Sequence, residues 1–128
     1  MKSQGINRTD DIRRLEELID VVRRLRSPGG CPWDREQTHG SLRATMLEEA
    51  YEVLEAIDEA SIPKLREELG DVLLQVVMQA IIAEESEEFS LGDVADSVRE
   101  KLVRRHPHVF GDTKVSGADE VVRNWEAL

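Results

Sequence analysis

Two neighbouring stretches of the chain, MLEEAYEVLEAI (46–57) and LREELGDVLLQVV (65–77), decide the fold. Apolar residues recur in both at helical spacing, so both are predicted to be helices. Each also carries two acids three residues apart, Glu49 with Glu52 and Glu68 with Asp71. Residues at i and i+3 lie on one face of a helix. The four acids therefore form either a solvated surface or two halves of one site.

The pattern outside these stretches predicts an all-α fold with four main helices and a short C-terminal helix. The main helices are expected at about 10–26, 41–60, 63–84 and 90–105. Ser90 and Asp93 resemble a capping box at the start of the fourth, and Pro107 favours its end. The short C-terminal helix is expected to contain Trp125. The loop CPWDREQTHG (31–40) shows no periodicity, and Trp33 is expected to anchor it in the core.

The apolar pattern of the third helix predicts self-association. In the second helix the expected core side contains Leu47, Ala50, Tyr51, Leu54 and Ile57. From Leu69 to Ile82 the third helix is apolar nearly all the way round, which indicates burial on most sides. Four helices of one chain cover such a helix only in part, so we expect a homodimer or higher oligomer with twofold symmetry. Gly70 is expected to permit a close helix approach.

Length and charge narrow the functional classes. A chain of 128 residues is expected to form one domain, 1–128. Its formal net charge of -10 argues against binding to nucleic-acid polymers or anionic membranes. The absence of an apolar signal segment favours a cytoplasmic location, and Cys31, the single cysteine, agrees with a reducing compartment.

The acids of the third helix are harder to explain as a solvated surface than those of the second. Asp71, Gln75 and Gln79 fall in one narrow wedge with Glu68, among apolar neighbours. Unpaired carboxylates in such surroundings are costly. Two antiparallel helices that each carry such a pair can direct four carboxylates into one space. Because carboxylates are hard ligands, the pattern favours Mg²⁺ or Mn²⁺ over zinc.

A basic group near the end of the fourth helix has two readings. Lys101, Arg104 and Arg105 could bind phosphates, or they could be the cations that favour a helix C-terminus. Trp125 could pack structurally or stack on a nucleobase. His106 and His108 are expected to make structural hydrogen bonds.

Several of these segments together resemble one family. EEAYE (48–52) followed by EELGD (67–71) resembles the EExxE…ExxD signature of the MazG-type nucleoside triphosphate pyrophosphohydrolases. GGCPWDREQTHGSL (29–42), KLVRRHPHVFGD (101–112) and the NWE that contains Trp125 are similar to further MazG blocks. The matches occur in order and span about 25–126.

The resemblance implies an all-α fold that dimerises through helix packing. It also implies Mg²⁺-dependent hydrolysis of nucleoside triphosphates between the α and β phosphates, with Mn²⁺ as a substitute. Carried over by position, the metal ligands are Glu49, Glu52, Glu68 and Asp71. Glu48 and Glu52 would be catalytic, with Glu48 positioning water or a second metal. Lys101, Arg104, Arg105 and Trp125 would bind the nucleotide.

Two other functions remain open at this level. A relative that prefers dUTP or dCTP would share the acidic core. A helical regulatory or dimerisation module of MazG type, with weak or no turnover, would share the fold.

Overall fold

A computed structural model describes residues 6–127, and these residues contain seven helices and no strand. The helices are α1 (Arg8–Arg26), α2 (Pro32–Glu36), α3 (Arg43–Asp58), α4 (Ile62–Glu85), α5 (Leu91–Arg105), α6 (Pro107–Phe110) and α7 (Ala118–Ala127). The predicted all-α class is confirmed, and the four predicted main helices correspond to α1, α3, α4 and α5. No helix among the described residues is long and apolar enough to cross a membrane.

Local chemistry explains where the long helices begin. The side chain of Asn7 accepts a hydrogen bond from the backbone N–H of Asp10 at the start of α1. Ser61 caps α4 in the same way, and a proline occupies the first turn. The predicted capping box of α5 is confirmed, because Ser90 and Asp93 each accept a hydrogen bond from the other's backbone N–H.

Two compact units divide the chain, the first ending at Glu88 and the second beginning at Phe89. The core of the first unit contains Val22, Leu42 and Ala56 together with Val77, Met78, Ala80, Ile81, Ile82 and Ala83. Burial of each large side chain in this core contributes about 1.5 to 3 kcal/mol. The second half of α4 is therefore surrounded, as predicted. The interpretation of the whole chain as one domain stays a prediction.

The first half of α4 is covered only in part, as expected of one chain, whereas the apolar side of α3 differs from the prediction. Leu69 and Leu73 are 50% and 41% exposed, so burial does not extend around this part of α4. On α3 the apolar side chains Leu47, Tyr51 and Leu54 are 54–60% exposed. We call these three residues the outer face of α3. The side expected to face the core is thus the outer side, because α3 packs on α4 through its opposite side.

Three smaller expectations are also wrong. The segment 31–40 contains the short helix α2. This helix has only five residues, which are too few to show a periodic pattern. Trp33 on this helix is 59% exposed, so it does not anchor the segment in the core. Gly70 makes no close helix approach within the described chain, since a Cβ built there meets nothing within 4 Å.

The junction between α1 and α2 depends on glycine and arginine. Gly29 has φ +84°, and a Cβ on Gly30 would lie 2.3 Å from the carbonyl oxygen of Leu25. The largely buried guanidinium of Arg26 donates to the backbone carbonyls of Asp34 and Gln37 and forms two 2.8 Å hydrogen bonds with Glu85. These contacts join the end of α1 to α2 and to the end of α4.

Candidate metal centre

The hairpin of α3 and α4 brings the predicted acids together. The two helices are separated only by Glu59, Ala60 and Ser61, so they are antiparallel neighbours. Glu49 lies near Asp71, and Glu52 lies near enough to Glu68 to raise the pKa of its carboxyl group. The side of α3 that carries Glu49 also carries the buried Ala56 and the half-buried Val53. This is the side that packs on α4, so Glu49 is directed between the helices.

Three carboxylates form the centre of this cluster. Glu49, Glu68 and Asp71 each offer one oxygen, and these oxygens all lie within 4.8 Å of one another. Glu68 is only 7% exposed, and Glu49 and Asp71 are half-buried. Carboxylates at such distances repel one another when all are ionised, because little water lies between them to screen the charge.

The pKa values of two members record this repulsion. Burial, followed by the adjacent carboxylate of Glu52 and the charges of Asp71 and Glu49, raises the pKa of Glu68 to about 7. Burial and the charges of Asp71, Glu52 and Glu48 also raise the pKa of Glu49 above its usual range. Lys64 is close enough to Glu68 for their charges to interact, but its ammonium group bonds Glu59 rather than the cluster.

A hard divalent cation fits these residues. Glu68 Oε2 is buried and has no hydrogen-bond partner in the described part of the chain. Buried polar atoms are normally paired, so this oxygen is available to a partner such as a cation. An all-oxygen set of carboxylates suits Mg²⁺ or Mn²⁺. Glu49, Glu68 and Asp71 are the residues that would hold the ion.

The other predicted acidic residues lie at the edge of the cluster. Glu52 is exposed and stands outside the group of three close oxygens, although it neighbours Glu68. Glu48 is also exposed and acts on Glu49 through its charge. The structure thus assembles three of the four predicted ligands and leaves Glu52 beside them, open to solvent.

The predicted nucleotide-binding residues belong to the second compact unit. The guanidinium carbon of Arg105 lies over the Trp125 ring, 4.3 Å from its centroid. Lys101 lines an apolar groove together with Phe89, which precedes α5, and with Val94 and Val98 of α5. Arg104 is exposed. Arg105 Nε and His108 Nδ1 are buried without a hydrogen-bond partner in the described chain. His106 Nδ1 bonds the carbonyl oxygen of Leu102 at 2.6 Å, which fits the structural role expected of it.

Two contacts in the first unit were not predicted. Gln79 on α4 donates to the carbonyl oxygen of His39 at 3.3 Å, and its own oxygen bonds the ring Nδ1 of His39. Arg26 joins three segments as described above. The sequence predicts the face of α4 on which Gln79 lies, but it does not predict that His39 is the hydrogen-bond partner of Gln79. Arg26 is one of three arginines in the last turn of α1, where a favourable interaction with the helix dipole is a sufficient explanation.

Comparison with known proteins identifies the class to which this fold and cluster belong. The family described as "MazG nucleotide pyrophosphohydrolase domain" matches residues 37–110, a segment that contains α3, α4 and the acidic cluster. The chain therefore belongs to the MazG family.

Individual relatives agree with this assignment. The chain is 57% identical over 99 residues to a Thermotoga maritima protein named nucleoside triphosphate pyrophosphohydrolase/pyrophosphatase MazG. The alignment covers 77% of this chain and 39% of that protein. It is 43% identical over 118 residues to the nucleoside triphosphate pyrophosphohydrolase of Escherichia coli K12, covering 91% of this chain and 45% of that protein. It is also 55% identical over 108 residues to the uncharacterized protein YabN of Bacillus subtilis, covering 84% and 22%.

A solved structure has the same fold. The crystal structure of a mazG-related protein from Thermotoga maritima matches with a TM-score of 0.71 at 28% identity, over 88% of this chain and 96% of that one. The curated relatives are longer, and the chain spans less than half the length of each of the three named here.

Proposed function

We propose that the chain is a nucleoside triphosphate pyrophosphohydrolase that requires Mg²⁺. One water molecule is consumed, the phosphoanhydride between the α and β phosphates is broken, and the products are a nucleoside monophosphate and pyrophosphate. The observation that carries the proposal is the group of three close carboxylate oxygens on α3 and α4, one from a buried residue and two from half-buried residues. The names of the relatives support the substrate class.

The acidic residues would divide the work according to their exposure. Glu49, Glu68 and Asp71 hold the ion, which, when bound, neutralises charge on the phosphate oxygens and promotes ionisation of water. Glu52 is exposed yet adjacent to Glu68, so its carboxylate can accept the proton of the attacking water. Glu48, also exposed and on the same helix, orients that water.

The basic residues of the second unit would bind the nucleotide. Lys101, Arg104 and Arg105 supply positive charge for phosphate oxygens in a chain whose net charge is -10. Arg105 already lies over one face of Trp125, and the ring is 41% exposed. A nucleobase stacked on the exposed part of this ring would complete the contact.

We also propose that two copies associate through α3 and α4. The outer face of α3 exposes three large apolar side chains on the helix that carries Glu49, and Leu69 and Leu73 are similarly exposed on α4. Exposed apolar surface of this kind marks an interaction site. A second copy offers the same surface, so a twofold axis would cover both at once.

The test of the activity is a pyrophosphate assay on the purified chain with a panel of NTPs and dNTPs, with Mg²⁺ present or removed by chelation. We expect Mg²⁺-dependent release of pyrophosphate and of the monophosphate in equal amounts. Asp71→Asn and Glu52→Gln should lower the rate by more than about 100-fold, because they alter groups closer to the reaction than the outer-shell residues whose loss costs 10–100-fold. Glu55→Gln, an exposed neutral change on the same helix, is the matched control and should retain full activity.

Other outcomes would point to the alternatives. Turnover of dUTP or dCTP alone would assign the chain to the narrower group of pyrophosphatases. Absence of pyrophosphate with every nucleotide would contradict the enzymatic proposal and favour a helical dimerisation module. Release of orthophosphate instead of pyrophosphate would contradict cleavage between the α and β phosphates.

A further inference from the structure

Gln75 is a buried polar residue that has no role in the packing described above. It is 6% exposed, and its side-chain oxygen is buried without a hydrogen-bond partner in the described part of the chain. An apolar residue would fill this position at lower cost, since burying an amide without a partner is unfavourable. The oxygen therefore needs a donor that the described residues do not provide.

The position of Gln75 on α4 indicates where that donor lies. Glu68, Asp71 and Gln75 fall within a wedge of about 60° at the 100° that each helical residue turns. Gln75 lies one turn after Asp71, about 6 Å along the axis. Helical side chains lean toward the N-terminus and cover the preceding turn. Gln75 therefore lies on the side of α4 that carries the acidic cluster, one turn from Asp71.

Gln79, one turn further along the same face, provides the contrast. Its amide is engaged at both ends by His39, through the ring and the backbone carbonyl. The two glutamines have the same chemistry and nearly the same orientation on α4. One holds the segment that precedes α3, and the other has no partner beside a group of three carboxylates that needs a cation.

We propose that Gln75 is a positioning residue for the cation, and that its amide oxygen accepts a hydrogen bond from the hydration shell of the ion held by Glu49, Glu68 and Asp71. The inference rests on the metal site of the proposed function. Mg²⁺ and similar ions keep several water molecules in protein sites, and residues beyond the direct ligands orient them. A neutral amide supplies an acceptor without adding to the negative charge of the cluster.

The test is Mn²⁺ binding to the metal-free chain without nucleotide, measured by electron paramagnetic resonance of the free ion. Gln75→Met keeps the volume of the side chain and removes the acceptor, and it should raise the dissociation constant by about 10-fold or more. Gln79→Met is the matched control and should change it by less than about 2-fold, since Gln79 acts on His39. Gln75→Leu serves as a second variant with the same expected direction.

Stability in urea separates a positioning role from a packing role. The metal-free Gln75→Met variant should be at least as stable as the parent chain, because an unpaired buried amide has been removed. Equal Mn²⁺ affinity in the Gln75 variants and the parent chain would overturn the inference while leaving the metal site intact. Equal losses in the Gln75→Met and Gln79→Met variants would also overturn it. A parent chain that binds no Mn²⁺ would overturn the metal site and this inference together.

Discussion

The two sides of α3 show the reverse of the usual distribution of polar and apolar residues. The side that packs on α4 contains Glu49, half-buried and within 4.8 Å of two other carboxylate oxygens. The outer face contains Leu47, Tyr51 and Leu54, each more than half exposed. An ordinary surface helix places its apolar stripe inward and its charges outward.

Each side is unfavourable in the isolated chain for a different reason, and each indicates a missing component. Close carboxylates that are buried or half-buried need a compensating positive charge, and the nearby Lys64 bonds Glu59 instead. Exposed apolar side chains need another surface to cover them. This difference supports both proposals, a divalent cation on the inner side of the hairpin of α3 and α4 and a second copy on its outer face.

Breaking the outer face should give the largest effect. Leu54→Asp places a charge at the proposed contact between copies, and burying that charge costs several kcal/mol. We therefore expect the dissociation constant of the dimer to rise by more than about 100-fold in sedimentation experiments. Glu55→Gln on the neighbouring exposed side should leave association unchanged. A parent chain that stays monomeric at high concentration would contradict the dimer.

A buried charge that has partners within the chain provides a comparison for the acidic cluster. Arg26 is largely buried and bonds both Glu85 and two backbone carbonyls, whereas Arg23 forms an exposed pair with Glu84. Arg26→Met should lower the free energy of unfolding by about 2 kcal/mol, since charged hydrogen bonds are lost. Arg23→Met should lower it by less than about 1 kcal/mol. Equal effects in urea denaturation would show that burial does not distinguish the two pairs.

Gly70 tests whether α4 also contributes to association. Within the described chain a methyl group at this position meets nothing within 4 Å, and alanine favours a helix over glycine by about 1 kcal/mol. Gly70→Ala should therefore stabilise the monomer against urea by about that amount. If the exposed side of α4 near Leu69 packs closely on a second copy, the same change should weaken the dimer about 10-fold. Tighter or unchanged association would place Gly70 outside the interface.

The pH dependence of stability tests the missing positive charge. The folded, metal-free chain holds a proton on Glu68 up to its pKa of about 7, whereas the unfolded chain loses it near 4.5. The folded state thus binds more protons between these values, and this residue makes stability fall as pH rises from about 4.5 to 7. Urea denaturation should show this decline in the parent chain, and it should be smaller in Glu68→Gln. Saturating Mg²⁺ should also reduce it, and an identical slope in all three would contradict the repulsion.

The sequence predicted the positions of the helices better than the side on which each helix packs. Four long helices, the capping box of Ser90 and Asp93, and the convergence of Glu49, Glu68 and Asp71 follow from spacing alone, because helical geometry fixes which residues share a face. The family resemblance added the substrate class. The side on which α3 packs could not be obtained this way, since an apolar stripe has the same periodicity whether it contacts its own chain or another copy.

Contacts between long side chains that are distant in the chain could also not be predicted from the sequence. Arg26 and Glu85 are far apart in the chain, and nothing in the spacing of either residue selects the other. The bond between Gln79 and His39 likewise depends on how the segment before α3 returns to α4. The five residues of α2 are too few to show a helical period, so this element was missed.

The most direct test of the central claim is anomalous diffraction from crystals of the chain grown with Mn²⁺. We expect one strong manganese peak bounded by carboxylate oxygens of Glu49, Glu68 and Asp71. A peak at other residues only, or no peak at a concentration of Mn²⁺ that supports pyrophosphate release, would contradict it.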